Sequence, residues 1–278
     1  MTINCKGKLI DLSKPKVMGV LNLTPDSFYD GGKYKSESKI LLQVEKMLLE
    51  GASFIDIGAY SSRPGAMHIS EEEELRRIVP IVELLLKKNP SILISIDTFR
   101  SRIASECISA GATLINDISA GNLDNKMMDT VAQHQVPYIM MHMKGNPQNM
   151  KQLATYEDLL KEIIHYFSER VYEARLKKIN DIIIDPGFGF AKTVQQNFKL
   201  LANIDLLKVL DLPILAGLSR KSMIYKTLDT TPEDALNGTT ALHIRALEGG
   251  ANILRVHDVK EAMECITLFN ELTASNNS

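Results

Sequence analysis

Residues 17–22, Val17-Met18-Gly19-Val20-Leu21-Asn22, form a nearly continuous apolar run that ends on a polar side chain. A strand covered on both faces has this composition, whereas a strand with one solvated face alternates apolar and polar residues. Residues 17–21 are therefore a predicted strand, and similar apolar runs recur along the chain. The other predicted strands are residues 54–57, 92–96, 114–118, 137–141, 182–184, 214–216 and 253–256.

Segments with helical periodicity separate these strands, and several carry helix start and stop signals. Ser70 and Glu73 have the spacing of a capping box ahead of an apolar stripe. Thr231 and Pro232 supply an N-cap and a first-turn proline for a helix that should end near Gly249. The pattern is therefore a regular alternation of strand and helix.

Eight strand–helix units without a break in composition predict an α/β fold, a single (β/α)8 TIM barrel, over residues 1–278. A doubly wound open sheet is the alternative, because the order of strands in a sheet is not visible in a sequence. Residues 1–15 are expected to form an N-terminal extension. Within it, residues 3–11 are suited to a short β-hairpin that closes the floor of the barrel.

The overall composition limits the possible partners. The chain has 278 residues, 45% of them hydrophobic and 24% charged, and a net charge of −2, which gives no indication of a nucleic-acid or membrane partner. Its three cysteines are far apart and predict neither a disulfide framework nor a zinc site. With no apolar secretory region and no run of about 20 apolar residues, a cytoplasmic protein is expected.

Polar side chains stand at the carboxyl ends of all eight predicted strands, where (β/α)8 barrels carry their active sites. A single aspartate after a strand is usually a helix N-cap and would predict little. A mixture of carboxylates, amides and cations at all eight ends is better explained by one active-site mouth. These ends are Asn22, Asp56-Ile57-Gly58, Asp97, Asn116-Asp117, His142, Asp185, Ser219-Arg220-Lys221 and Arg255-Val256-His257.

Two long loops, residues 22–32 and 61–66, follow the first and second strands. Both are rich in glycine, proline and polar residues, as lids over a reaction site are. A plain surface loop is the alternative, and Phe28 and Arg63 make it less attractive.

The loops and strand ends together resemble the dihydropteroate synthase family over nearly the whole chain. No single motif is specific, but the joint order and spacing of the motifs is. The matching segments are residues 17–28, 62–66, 95–98, 116–118, 185–190, 219–221 and 255–257.

The resemblance implies a homodimeric (β/α)8 barrel enzyme of folate biosynthesis. Such an enzyme condenses 6-hydroxymethyl-7,8-dihydropterin diphosphate with 4-aminobenzoate and releases pyrophosphate with the help of Mg²⁺, and sulfonamides compete at the aminobenzoate slot. The sequence departs from the usual pattern in places. Ala59-Tyr60 stands where a Gly-Glu pair is common, Ser62 replaces a threonine, and Ala191 replaces a glycine. Tyr60 thus removes a carboxylate, which puts any role for that acid in doubt.

The resemblance also implies residue roles. Asp185 would accept hydrogen bonds from the amino-pyrimidinone edge of the pterin, with Asn116 and Asp97 at the remaining heteroatoms. Arg63, Arg255 and His257 would contact the diphosphate, and Asn22 would bind diphosphate or its Mg²⁺. The side chains implied beside the pterin and aminobenzoate are Lys221, Ser219, Ser62, Pro64, Phe28, Phe188 and Phe190, and the lids would include Thr24, Asp26, Phe28 and Gly65.

The amine of 4-aminobenzoate is neutral at pH 7, so the main catalytic task is to stabilise the departing diphosphate and any positive charge on the pterin methylene. A dissociative substitution with Asp97, Arg63, Lys221, Arg255 and His257 as catalytic residues is the hypothesis. Three other functions remain open. They are a pterin-dependent methyltransferase acting with a corrinoid protein, a Schiff-base aldolase that uses Lys221, and a non-catalytic pterin-binding protein.

His142 lies among the methionines at positions 140, 141 and 143, an arrangement that could suggest a metal site. Packing is the preferred interpretation, because methionines are adaptable core residues.

Overall fold

In a computed structural model, which describes residues 1–23, 33–60 and 69–275, eight parallel strands close into a barrel. The strands are β3 (Lys16–Asn22), β4 (Phe54–Gly58), β5 (Ile94–Asp97), β6 (Leu114–Asp117), β7 (Tyr138–Met141), β8 (Ile182–Asp185), β9 (Ile214–Ala216) and β10 (Ala251–Val256). Each strand pairs with the next along the chain, and β10 pairs with β3 to complete the circle. The barrel prediction is confirmed, and the open sheet is excluded.

Helices follow the strands and cover the outside of the barrel. In the described part of the chain they are α1 (Lys33–Leu49), α2 (Glu71–Lys88), α3 (Ser101–Ser109), α4 (Met127–His134), α5 (Leu159–Leu176), α6 (Val194–Ala202), α7 (Ser222–Thr227), α8 (Leu236–Glu248) and α9 (Val259–Ser275), with 3₁₀ turns at Met150–Leu153 and Ile204–Leu210. None of these helices is both long enough and apolar enough to cross a membrane.

The helix signals were only partly correct. Ser70 Oγ accepts a hydrogen bond from the Glu73 N–H at 3.2 Å, which confirms the cap of α2. Helix α8 ends at its cap, Gly249, as predicted, but begins at Leu236 rather than beside Pro232. The early start was wrong because the carbonyl oxygens of Pro232 and Glu233 accept hydrogen bonds from the Arg220 guanidinium.

The N-terminal hairpin was predicted correctly. Strands β1 (Thr2–Cys5) and β2 (Lys8–Asp11) pair antiparallel below the barrel. Asn252 Nδ2 donates to the Leu12 carbonyl at 2.9 Å, which ties the hairpin to the start of β10. Ile3 and Cys5 of the hairpin and Leu12 just after it pack against one apolar residue at or just before the beginning of each barrel strand. We call these eight residues the floor layer. The floor layer is Met18, Phe54, Leu93, Leu114, Ile139, Ile183, Leu215 and Ile253.

A second layer of side chains lies directly above the floor layer. Side chains two residues apart on a strand face the same side, so each strand contributes its next inward residue to this level. The second layer is Val20, Asp56, Ser95, Asn116, Met141, Asp185, Gly217 and Arg255. The barrel interior therefore changes from wholly apolar to largely polar within one step along the strands.

Candidate active site

Arg255 occupies the centre of the second layer and bridges two carboxylates. Its Nε donates to Oδ2 of Asp56 at 2.6 Å, and its Nη2 donates to Oδ2 of Asp97 at 2.7 Å. Asn116 Nδ2 also donates to Oδ2 of Asp56, at 3.0 Å. Strands β4, β5, β6 and β10 thus place these four side chains in one hydrogen-bonded network.

Two carboxylates sharing one guanidinium create an electrostatic conflict. Asp56 is fully buried and Asp97 is partly buried. Burial raises the pKa of Asp97 from 3.8 to about 7, and the negative charge of Asp56 acts in the same direction against the attraction of Arg255. Asp97 therefore changes its charge close to neutral pH.

Asp185, at the end of β8, shapes the turn that follows it. Its Oδ1 accepts a hydrogen bond from the Gly187 N–H at 2.8 Å. Gly187 has φ +71°, and a β-carbon there would lie 2.1 Å from the His142 carbonyl oxygen, so the turn requires glycine. Oδ2 of Asp185 lies toward Gly217, where a β-carbon would come within 3.8 Å. Burial raises the pKa of Asp185.

Lys192 stabilises the same turn by hydrogen bonds to its carbonyl oxygens. Its Nζ donates to the carbonyl oxygens of Gly187 and Phe190 at 3.0 and 3.1 Å, and lies 3.0 Å from Nδ1 of His142. Lys192 is only 9% exposed, and burial lowers its pKa to about 7. His142 is buried with its ring 4.8 Å from that of Tyr166, in agreement with the packing interpretation.

The two aromatic residues of this loop face different ways. Phe190 is partly buried, and its ring centroid lies 4.6 Å from Nζ of Lys221. Phe188 is 1% exposed and belongs to the main apolar core between strands and helices. Gly187 and Gly189, both with a left-handed backbone, flank Phe188, and its contact with substrate stays a prediction.

Ser219 and His257 join the ends of β9 and β10. Ser219 Oγ lies 3.0 Å from Nδ1 of His257 and accepts the His257 N–H at 3.2 Å. Burial lowers the pKa of His257 to about 4, and the charge of Arg255 adds to this effect, so the imidazole is neutral at pH 7. The structure thus brings Ser219, Lys221, Arg255 and His257 to one side of the mouth.

Not every polar strand end serves the mouth. Asp117 is buried and accepts hydrogen bonds from Tyr138 Oη at 2.6 Å, from the Ser119 N–H and hydroxyl, and from the Gly121 N–H. It stabilises a turn. Asn22 is partly buried at the end of β3, opposite Gly58 in register.

Several predicted site residues lie outside the described residues. They are Thr24, Asp26 and Phe28 in the first loop and Ser62, Arg63, Pro64 and Gly65 in the second.

Tyr60 lies at the rim, where the related pattern has a glutamate. Its hydroxyl accepts a hydrogen bond from Gln148 Nε2 at 3.1 Å, and its ring packs edge-on against Phe99 with centroids 5.1 Å apart. The Arg100 guanidinium carbon lies 5.3 Å from the Tyr60 ring centroid. An aromatic contact and a cation–π contact thus occupy this position.

Sequence reasoning left Asp56 and Lys192 without a role. Asp56 could have been found by counting two residues on from Phe54, the inward residue one step below it. Lys192 has no comparable signal, because a lysine in a loop is expected to point into solvent.

Across residues 1–23, 33–60 and 69–275, no group of three or more His, Cys, Asp or Glu side chains is arranged to hold a metal ion.

Comparison with known proteins agrees with this geometry. Residues 18–257 match the family model described as pterin binding enzyme. A dihydropteroate synthase from Synechocystis is 47% identical over 250 residues, covering 89% of this chain and 86% of the relative.

Two solved structures resemble the whole barrel. A Yersinia pestis dihydropteroate synthase, solved as a sulfonamide drug complex, has a TM-score of 0.92 at 39% identity and covers 99% of this chain and 100% of its own. A Xanthomonas albilineans dihydropteroate synthase in complex with 7,8-dihydropteroate has a TM-score of 0.88 at 35% identity and covers 99% of both chains. The chain belongs to the dihydropteroate synthase family of pterin binding enzymes.

Proposed function

We propose that the chain condenses 6-hydroxymethyl-7,8-dihydropterin diphosphate with 4-aminobenzoate, giving 7,8-dihydropteroate and pyrophosphate. The observation that carries this proposal is the polar network at the second layer. Asp56, Asn116 and Arg255 are joined there by hydrogen bonds, Asp97 binds Arg255 from one level above, and Asp185 lies in the same layer. A flat heterocycle with several donors and acceptors needs such a set of buried polar partners. The alternative methyltransferase is not favoured, since the matched relatives are synthases.

Asp185 and Asn116 are the proposed readers of the pterin edge. A buried carboxylate that accepts two parallel hydrogen bonds discriminates strongly against rings lacking those donors. The guanidinium of Arg255 is held by two carboxylates and is suited to stack on the pterin ring, a contact that lysine would not reproduce.

The leaving diphosphate is the proposed partner of the cationic side of the mouth. Lys221, Arg255 and Arg63 supply charge, and neutral His257 supplies a ring nitrogen as hydrogen-bond donor. Ionised Asp97 is the proposed stabiliser of positive charge on the pterin methylene. In this dissociative scheme the C–O bond to diphosphate breaks, the neutral amine adds to the methylene, and the amine then loses a proton to solvent.

Mg²⁺ is the proposed cofactor, and the donor set fits it. Mg²⁺ usually retains waters and takes one or two protein oxygens together with substrate phosphates. The Asn22 side-chain oxygen at the end of β3 is the proposed protein ligand. When bound, the ion neutralises charge on the diphosphate.

The aminobenzoate slot is proposed to lie beside Phe190, Lys221 and Ser219, with Ser62, Pro64 and Phe28 completing it. Lys221 lies against the Phe190 ring, so a cation and an aromatic face are presented together. A benzoate has both a flat ring and an anionic end, and a sulfonamide shares that shape. We therefore propose that sulfonamides compete with 4-aminobenzoate.

A cytoplasmic homodimer is proposed as the working form. Leu268 and Leu272, four residues apart on α9, are 62% and 60% exposed and form an apolar strip suited to a second copy. Sedimentation of the wild type and of a Leu268→Glu, Leu272→Glu variant tests this. A shift from dimer to monomer supports it, and a monomeric wild type contradicts it.

Pyrophosphate release from dihydropterin diphosphate, measured with and without 4-aminobenzoate in Mg²⁺, tests the proposed reaction. Release that depends on both substrates and forms dihydropteroate is the expected result. Tight pterin binding without release would contradict synthase activity and leave the pterin pocket standing.

A further inference from the structure

Arg220 lies between Ser219 and Lys221 of the mouth, yet its side chain pairs with Asp258. Its φ is +55°, a left-handed conformation that non-glycine residues rarely adopt without support. Its neighbours Ser219 and Lys221 face His257 and Phe190, respectively. A strained backbone at such a position has to be held by its surroundings.

The Arg220 side chain has an unusually complete set of partners. Nε and Nη2 donate to Oδ2 and Oδ1 of Asp258, both at 2.8 Å, in a bidentate ion pair. Nη1 donates to the carbonyl oxygens of Pro232 and Glu233 at 2.9 and 2.6 Å. The Arg220 N–H donates to Thr239 Oγ1 at 3.1 Å. We call Arg220 and Asp258 the clamp.

The clamp joins three segments of the chain. One is the loop after β9 with Ser219 and Lys221, the second is the turn before α8, and the third is Asp258, which directly follows His257. We propose that Arg220 is a positioning residue, holding Ser219 and Lys221 against His257 so that the cationic side of the mouth is assembled before substrate binds. This inference rests on the proposed function for its kinetic consequence, but its structural part stands independently of it.

The clamp also fixes the charges around the His257 ring. The groups that face this ring are Arg255 on β10, Ser219, Arg220 and Lys221 in the loop after β9, and Asp258 at the start of α9. Arg220 and Asp258 act on the pKa of His257 in opposite directions. While the two side chains are paired, their effects on this pKa largely cancel. Either one alone would shift the pKa of the imidazole.

Two variants separate positioning from charge. Arg220→Ala removes a cation and frees the Asp258 carboxylate, so the pKa of His257 should rise. Asp258→Asn weakens the same ion pair but removes an anion, so the pKa of His257 should fall. Both should lower kcat/KM for the pterin substrate, on the order of 10- to 100-fold, because small displacements of positioned groups cost rate.

The readout besides activity is an NMR titration of the His257 Cε1–H resonance, assigned with His257→Asn. Arg245→Ala is the control for loss of an arginine, since Arg245 on α8 makes longer surface pairs with Asp205 and Glu248, at 3.7 and 3.9 Å, away from the mouth. Arg220→Lys keeps the charge without the planar fork and should restore only part of kcat/KM. Circular dichroism melting confirms that each variant folds.

Opposite shifts of the His257 pKa together with a loss of kcat/KM in both variants would support the clamp. Wild-type kcat/KM in either variant, or a His257 pKa that is unchanged or shifts in the same direction in both, would overturn it. A wild type without synthase activity would defeat the proposed function alone, because the titration still tests the geometry.

Discussion

The floor layer and the second layer lie one step apart on the same eight strands and differ in almost every property. The floor layer holds eight apolar side chains packed against the hairpin. The second layer holds Asp56, Asn116 and Arg255, which are joined by hydrogen bonds to one another and to Asp97 one level above, and it also holds Asp185. The floor layer gains stability from burial, whereas the second layer gathers charges whose desolvation opposes folding. The residues that stabilise the barrel and the residues that form the candidate site are thus only two positions apart on each strand.

Placing a polar group in the floor layer should have the largest effect. Leu114→Asn leaves a cavity and an amide without partners, and should lower the free energy of unfolding by roughly 4 kcal/mol. Urea denaturation measures this. Leu42→Asn is the control, because Leu42 on α1 is 66% exposed and its loss should cost less than about 0.5 kcal/mol. Equal costs would show that the floor layer is not the stabilising part.

Replacing a polar residue by an apolar one in the second layer, two residues further along β6, should leave the free energy of unfolding nearly unchanged and weaken pterin binding. Asn116→Leu removes the donor to Asp56, which retains Arg255 as its partner. The expected result is a folded protein whose affinity for dihydropteroate falls by about 100-fold, since a site built to hydrogen-bond its ligand is sensitive to a lost partner. Calorimetric titration measures the affinity. Retained affinity would contradict the role of Asn116.

Asp97 should link activity to pH. Because the pKa of Asp97 in the free protein is about 7, its catalytic ionised form appears as pH rises, and kcat/KM should rise through pH 7. Asp97→Asn should remove this step and lower kcat more than pterin affinity. Equal losses in both would count against the proposed role.

The stability of the folded protein should show the opposite trend. A carboxyl whose folded pKa is raised from 3.8 to about 7 binds its proton more tightly in the folded state, so stability is lost as pH rises through that window. Asp97→Asn should therefore be relatively more stable than wild type at pH 8 than at pH 4. Asp205→Asn, at a 51%-exposed side chain, is the control in thermal melts at both pH values.

The rim should be the least sensitive region. Tyr60→Glu restores the common carboxylate and loses the edge-on contact with Phe99, while Arg100 remains close enough to pair with the new charge. We expect kcat/KM to change by less than about threefold, since Arg100 is already paired with the buried Glu74 and gains little from a second carboxylate. A larger change in steady-state kinetics would show that the position contributes to catalysis despite lying above both layers.

The fold was predictable because each strand carries its own signal of continuous apolarity. The register of each strand was not visible in the same way. A continuous run does not reveal which residues face inward, so Asp56 was grouped with the strand ends although it lies a full step below Gly58. The apolar runs alone predicted the barrel. Which side chains face its interior became visible only from the pairing of neighbouring strands.

The site was predictable where a motif places a side chain directly at a strand end, as at Asp97, Asp185 and Arg255. It was not predictable where loop conformation decides direction. Phe188 and Phe190 are two residues apart in one motif, yet left-handed glycines send one ring to the core and the other toward the mouth. Lys192 was missed because only the folded turn creates the three acceptors that make its burial favourable.

The hairpin and the floor layer also make the barrel a cup with a sealed base. A molecule bound at the second layer has the apolar floor layer on one side and the carboxyl ends of the strands on the other. Both substrates must arrive, and both products must depart, through one doorway. If the pterin binds at the second layer, as proposed, it has to enter before 4-aminobenzoate, and the two leave together as dihydropteroate by the same route.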